Sequence, residues 1–406
     1  MKNDKKQNIY KIIMLMALTA LITFIVTSMV MYNKFEISNA ASNGSSLQLS
    51  DENSLVSVLN EFKTIINQKY IGEVNEKDLI EGAIKGFFDG LGDPYTEYLT
   101  KEEMDELMED TSGKYVGIGV YVANNTVDNT ILVIGVMNGS PALEAGMQAG
   151  DIITKIDGVE YEGNELTKAT SVLKGEENTT VNVTVLRDGK ELELIVTRKT
   201  ITVEHVGSKM LDNNIGYIQI DAFEDGVAEK FEEKYNELNQ AGLKGLIIDL
   251  RSNGGGVVDE ATDIADLFTE KDKEVLITKN KNGDEKLTKA KRDKIISDIP
   301  VVVLTNEGTA SASEILAGAL KDNYGAKIVG KNTYGKGVIQ TVYKLADGSG
   351  LKITTDEYYT PTHKIINKVG IAPDEEIDLT KDEEGNYQTD ETNDAQLLKA
   401  IEIINK

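Results

Sequence analysis

The chain contains no cysteine. That absence excludes disulfides, cysteine nucleophiles and zinc–thiolate sites together. Histidine is almost absent too: His205 and His363 are the only two, and they form no H-E-x-x-H pair. A protease of the Ser-His-Asp type would have to use one of them. Basic clusters are missing beyond the N-terminus, and the net charge over 406 residues is −25. Nucleic-acid binders lean the other way, so no nucleic-acid partner is expected. The 40% hydrophobic content suffices for folded cores, and the length calls for two or three domains.

Residues 12–31 form an uncharged apolar run. As a helix it would just span a bilayer core of about 30 Å. Lys2, Lys5, Lys6 and Lys11 precede it, opposed only by Asp4. The positive-inside rule then keeps the N-terminus cytoplasmic and exports the remainder. A cleaved signal peptide is the competing reading, with Ser38, Asn39 and Ala40 as its small-x-small site. The run is long for that role and the site lies well past its end. A retained single-pass anchor in the cell membrane is expected, with the body on the extracytoplasmic side. Residues 42–50 are rich in Ser, Asn and Gly and read as a flexible linker.

From residue 54 to about 110 the pattern is helical: Leu55, Leu59, Phe62 and Ile66 recur on one helix face. Residues 115–198 read as short strands and turns, with a hairpin turning at Asp188 and Gly189. Beyond Ile215, apolar strands alternate with helices, as in an α/β core. A last helix is expected near residues 397–404.

Three stretches carry the chemistry. The first is an apolar strand at residues 301–304, a short turn, and a helix opening at Ser311. A serine there sits among free backbone N–H groups at the positive end of the helix dipole, which suits a nucleophile beside its oxyanion site. Ser311 and Glu314 also make an ordinary S-x-x-E capping box, and alone the motif would read that way. The second is Lys336 between Gly335 and Gly337, followed by Val338, Ile339 and Gln340. On a strand, Lys336, Val338 and Gln340 would share one face. A lysine serves as base only when a good fraction is neutral, which burial or a nearby positive charge would favour. Gln340 could orient its amine without holding the proton on. The alternative is a solvated surface lysine with turn glycines. The third is a buried strand running from Leu246 through Asp249 into the glycines at 254–256, where a backbone N–H can approach a ligand closely.

Together these stretches resemble the carboxyl-terminal processing, or tail-specific, proteases. The likeness extends to Gly90, Leu91, Gly92, Asp93, Pro94, Tyr95 and Thr96, to the run from Gly113 to Val120, and to Gly139, Ser140, Pro141 and Ala142. The resemblance implies an α/β protease core similar to the crotonase and Clp protease fold, with an inserted β-rich PDZ domain, an N-terminal helical region and a single transmembrane anchor. Domains would then fall at 1–33 (tip and anchor), 34–50 (linker), 51–112 (helical region), 113–199 (PDZ), 200–375 (protease core) and 376–406 (tail with final helix).

The same resemblance implies Ser311 as nucleophile, Lys336 as general base and Gln340 as its orienter. It implies Ala312 and Gly255 as oxyanion donors through their N–H groups. Thr309 stands where the family's first motif serine would be. Gly117, Ile118, Gly119 and Val120 resemble a carboxylate-binding loop, so substrates with free, apolar C-termini are expected. Lys174 stands where the family often has arginine associated with activation, keeping the charge but losing the bidentate fork. No metal or organic cofactor is implied. The helical N-terminal region and last helix could pair across a homodimer, and the free enzyme is expected to rest misaligned. Three other readings compete: a PDZ adaptor with a degenerate core, an acyl-CoA enzyme on a crotonase-like core, and a histidine-dependent hydrolase.

Overall fold

The computed structural model describes residues 52–381, 389 and 391–406, with 52–54 as backbone only. The expected anchor at 12–31 lies outside the described residues, as does the linker. Among the described residues no helix is long and apolar enough to cross a membrane.

The chain divides into two units, 1–82 and 83–406. In the first, the helix Glu52–Lys69 carries the expected apolar face. That face is open: Leu55, Leu59 and Phe62 are all exposed. Asn75 starts the next helix, Glu76–Asp89, by accepting the Lys77 amide at 3.0 Å.

The second unit begins within that helix. The stretch after it holds a short strand that the helical pattern of the sequence did not show. The strand Glu97–Leu99 pairs antiparallel with residues 350–352 of the long strand Gly350–Tyr359. The helix Lys101–Ser112 follows, closed by a full capping box between Thr100 and Glu103 and by left-handed Gly113.

A β-rich module comes next. The strands Lys114–Gly117 and Lys199–Thr202 pair where the chain enters and leaves it. Its main sheet runs Val120–Asn125, Thr130–Val136, Ile152–Ile156, Thr180–Arg187, Lys190–Thr197, leaving Val120–Asn125 as an edge. Val181, Val183 and Val185 alternate into its core, which the helix Leu166–Leu173 covers with Ala169 and Leu173.

The α/β core is a six-stranded sheet ordered Val206–Leu211, Ile215–Ile220, Gly245–Asp249, Val301–Thr305, Lys327–Gly330, Glu375–Glu376. All its pairs but the first are parallel. Its central strands are apolar throughout because both faces are covered. Leu246, Ile248, Val301 and Val303 meet the helices Val227–Gln240, Val258–Asp266 and Ala312–Ala319. Ile247, Val302 and Leu304 meet the last helix, Ala395–Ile404. A second sheet is built on Gly350–Tyr359, which pairs with Val338–Lys344, Glu274–Asn280 and Glu97–Leu99.

Candidate active site

Ser311 ends the turn between the strand Val301–Thr305 and the helix Ala312–Ala319, with φ 57° and ψ −119°. A non-glycine residue pays roughly 1–3 kcal/mol for such a conformation and needs its surroundings to enforce it. They do. The Ala310 N–H and the Ser313 hydroxyl both donate to the Asn253 carbonyl at 3.0 Å. The Thr309 hydroxyl donates to the Leu250 carbonyl at 2.8 Å, and Tyr358 donates to the Ser311 carbonyl at 3.0 Å. Thr309, in place of a serine, is therefore a buried tie. Glu314 is fully buried and accepts the Ser311 amide at 2.9 Å.

That same carboxylate reaches the lysine loop. It accepts the Lys336 amide at 2.9 Å, the Gly335 amide at 2.7 Å and the Thr333 hydroxyl at 2.5 Å. The glycines beside Lys336 are required by space, not merely by a turn. A Cβ on Gly337 would lie 2.1 Å from the Asn367 nitrogen. Gly335 has φ +87° and would place its Cβ 3.0 Å from the Val369 nitrogen.

Lys336 is not on a strand. The strand begins at Val338, and its register slips between Ile339 and Gln340. The shared face expected from alternation is thus replaced by a loop and a bulge, yet Lys336, Val338 and Gln340 all line one cavity of about 590 Å³ with Ser311 and Gly255. The side chain of Lys336 is half-buried, and its amine forms no hydrogen bond or ion pair among the described residues. Burial pulls the amine below the usual lysine range and Lys352 pulls the same way, against weaker support for the charge from Asp93 and Glu314. This is not the setting of a solvated surface lysine.

Other expected contacts are absent among the described residues. Gln340 donates to the Thr354 hydroxyl at 3.2 Å rather than meeting Lys336. Gly255, at φ +101°, packs against the serine turn: a Cβ there would lie 2.7 Å from that of Ser311. Its amide, however, is taken by the Asn253 side-chain oxygen at 2.9 Å. The amide of Ala312 has no partner among the described residues.

In the β-rich module, Gly117, Ile118, Gly119 and Val120 turn from the first strand into the sheet edge. The amides of Ile118 and Gly119 have no backbone partner among the described residues. Gly119 has φ +76°, and a Cβ on it would come within 2.4 Å of Ser140. Lys174 pairs with Glu109 at 2.5 Å and lies 5.4 Å from the Tyr115 ring centre. His205 faces Glu224 at 2.7 Å and His363 is exposed; neither lines the cavity. A second cavity of about 630 Å³ is lined by Asp249, Arg251 and Gln396 and holds none of the expected residues. Its Arg251 is paired with Asp249 and Asp394, which ties down the last helix.

Sequence matches fit this geometry. Peptidase family S41 matches residues 214–377 and a PDZ domain matches 115–197. The N-terminal domain of the activating protease CtpB matches 16–103. The carboxy-terminal processing protease CtpA of Bacillus subtilis (strain 168) is 36% identical over 322 residues, which cover 79% of this chain and 68% of that one. The chain belongs to the carboxy-terminal processing proteases. It is a PDZ-containing, serine-type peptidase of family S41. A "Probable CtpA-like serine protease" of Staphylococcus aureus (strain MRSA252) is 36% identical over 360 residues, covering 88% of this chain and 71% of that one. The structure of a "Putative S41 protease" from Bacteroides fragilis NCTC 9343 is 17% identical, covers 79% of this chain and 90% of its own, and has a TM-score of 0.51, which speaks to fold alone.

Family membership removes the acyl-CoA reading. Glu314, Asn253, Tyr95 and Tyr358 escaped the sequence reading as site residues. Glu314 was visible only as a helix cap and Tyr95 only within a family-like segment. Asn253 was visible only within the stretch that runs into the glycines at 254–256, and nothing local marks Tyr358.

Proposed function

We propose that the chain is an exported, membrane-anchored endopeptidase that captures a protein's C-terminal tail on its PDZ domain and cuts with Ser311 and Lys336. The observation that carries this reading is the strained serine at a helix N-terminus opening into one cavity with a half-buried lysine that has no ion-pair partner among the described residues. Neutral Lys336 takes the proton of the Ser311 hydroxyl as its oxygen attacks the scissile carbonyl. The oxyanion forms beside the Ala312 N–H, with Gly255 as second donor once its amide leaves Asn253. The Lys336 ammonium then protonates the departing amine, an acyl-enzyme remains, and water activated by the same lysine releases it.

Two features argue that this structure is a resting state. Ser311 and Lys336 share no hydrogen bond, and the Gly255 amide is engaged. A tail could add as a strand along the free edge of Val120–Asn125, with its carboxylate on the Ile118 and Gly119 amides. Lys174, beside that loop, is paired to Glu109 on the helix whose Leu107, Asp110 and Thr111 line the cavity. Through that pair a bound tail would act on the wall of the cleavage site. The anchor would be residues 12–31, and the open face of Glu52–Lys69 suits a homodimer contact.

The test is a fluorophosphonate probe on the full chain, with the adduct mapped by mass spectrometry. Labelling at Ser311 that rises with a free-carboxylate apolar peptide, but not with its amidated form, is the expected result. Failure to label Ser311 under either condition would favour the adaptor reading.

A further inference from the structure

The segment around Asp93 and Tyr95 precedes the PDZ domain and has no part in the chemistry described so far. It folds against the catalytic lysine. The Lys336 ammonium nitrogen lies 4.7 Å from the centre of the Tyr95 ring, over its face. The turn that carries the ring is fixed by Asp93, which accepts the Tyr95 amide at 3.1 Å and the Thr96 hydroxyl at 2.5 Å. Thr96 in turn accepts the Thr354 amide at 3.0 Å, and Thr354 accepts the Gln340 side-chain amide at 3.2 Å. The strand Glu97–Leu99 then pins the turn to the sheet.

Among the described residues, Asp110, Glu224 and Asp259 line the same cavity, and the charges that act most on Lys336 come from three elements. Lys352 comes from the strand Gly350–Tyr359, Asp93 from the turn and Glu314 from the helix Ala312–Ala319, and none of them touches the amine. Lys352 is occupied by Glu97 at 2.9 Å, the Asp93 oxygens by the Tyr95 amide and Thr96 hydroxyl of their own turn, and the Glu314 oxygens by the Ser311 amide and by the Thr333 hydroxyl and the Gly335 and Lys336 amides of the lysine loop. The ring face is what the amine meets.

We propose that Tyr95 is a positioning residue for Lys336: its ring face receives the ammonium formed each time the lysine takes the Ser311 proton, while its turn holds Gln340 through Thr96 and Thr354. This rests on the Ser-Lys reading above. The logic is that of a weak counter-ion. A carboxylate touching the amine would hold the proton on and quench the base. A ring quadrupole attracts the charge more weakly, so the base can still be neutral before attack and supported after it.

The experiment is the pH dependence of kcat/KM for the full chain on an unfolded reporter protein with an apolar C-terminus. Tyr95→Phe keeps the ring face and should keep the acid limb of the profile. Tyr95→Leu removes the ring, which favours the charged form, so the limb should move down by roughly half a pH unit, with kcat about three- to tenfold lower and KM little changed. Tyr95→Trp, a stronger cation acceptor, should move it up, and decides the matter should the leucine variant not fold. A limb unmoved in both Leu and Trp variants, or a Phe variant impaired as badly as Leu, would overturn the proposal. Lys336→Ala separates the two ideas: activity surviving in it would fail the Ser-Lys reading itself, whereas an inactive Lys336→Ala beside an unmoved limb fails only the role of Tyr95.

Discussion

Glu314 holds Ser311 and, through the same oxygen, Lys336: Oε2 accepts the amides of both at 2.9 Å. One fully buried carboxylate thus sets the spacing between the two loops. Glu314→Gln keeps the shape but turns an NH2 toward N–H donors. Each orphaned donor costs about 1–3 kcal/mol. We expect lower thermal stability by calorimetry and reporter cleavage reduced at least tenfold. Unchanged cleavage in a folded variant would show that the two loops hold their places without it.

The strain at Ser311 makes a prediction about stability rather than rate. At φ 57° and ψ −119° alanine is as strained as serine, whereas glycine is not. Ser311→Gly should therefore be more stable than Ser311→Ala by about 1 kcal/mol, both being inactive. Denaturant melts of the two variants decide it, and a more stable alanine variant would mean that the turn carries no such strain.

Gly255→Ala should be severe. Its Cβ would meet the Ser311 Cβ at 2.7 Å, the Ala310 carbonyl at 2.8 Å and the Ala312 amide at 2.9 Å, all at φ +101°. The serine turn must move, and with it the Ala312 amide. Loss of one oxyanion donor typically costs ~100- to 1,000-fold in rate, and cleavage should fall by at least that much. The check is single-turnover cleavage beside a folding control.

The lysine also predicts a pH profile. Burial and Lys352 both lower its pKa from that of an ordinary lysine. Only the neutral amine is a base, so kcat/KM should rise with pH through that lowered pKa. Lys352→Met removes a like charge, and the rise should move to higher pH. The stability sign follows from linkage: below the depressed pKa the folded chain bears the full cost of the charged amine, which fades as pH climbs toward the unfolded value. Lys336→Met should thus gain stability over wild type most clearly on the low-pH side of that window, as pH-dependent melts would record.

Much of the fold was legible because its signals are local. The strands Gly245–Asp249 and Val301–Thr305 are apolar at nearly every position since both faces are buried. The hairpin between Thr180–Arg187 and Lys190–Thr197 turns at Asp188 and Gly189 as expected. Ser311 at a strand–turn–helix junction could also be read, though its backbone angles could not. What escaped depends on distant partners. The strand Glu97–Leu99 has only three residues and exists because strand Gly350–Tyr359 offers an edge. Lys336 leaves the strand because Gly337 lies against the Asn367 backbone. The engagement of the Gly255 amide by Asn253 depends on how the side chain turns back onto the loop, which no residue pattern encodes.

The most direct test of the account is cleavage of an unfolded reporter with an apolar C-terminus by the full chain, beside Ser311→Ala and Lys336→Ala. The account predicts cleavage by the wild type and none by either variant, with both variants folded. Cleavage persisting in Lys336→Ala would contradict it and return attention to the pair His205 and Glu224.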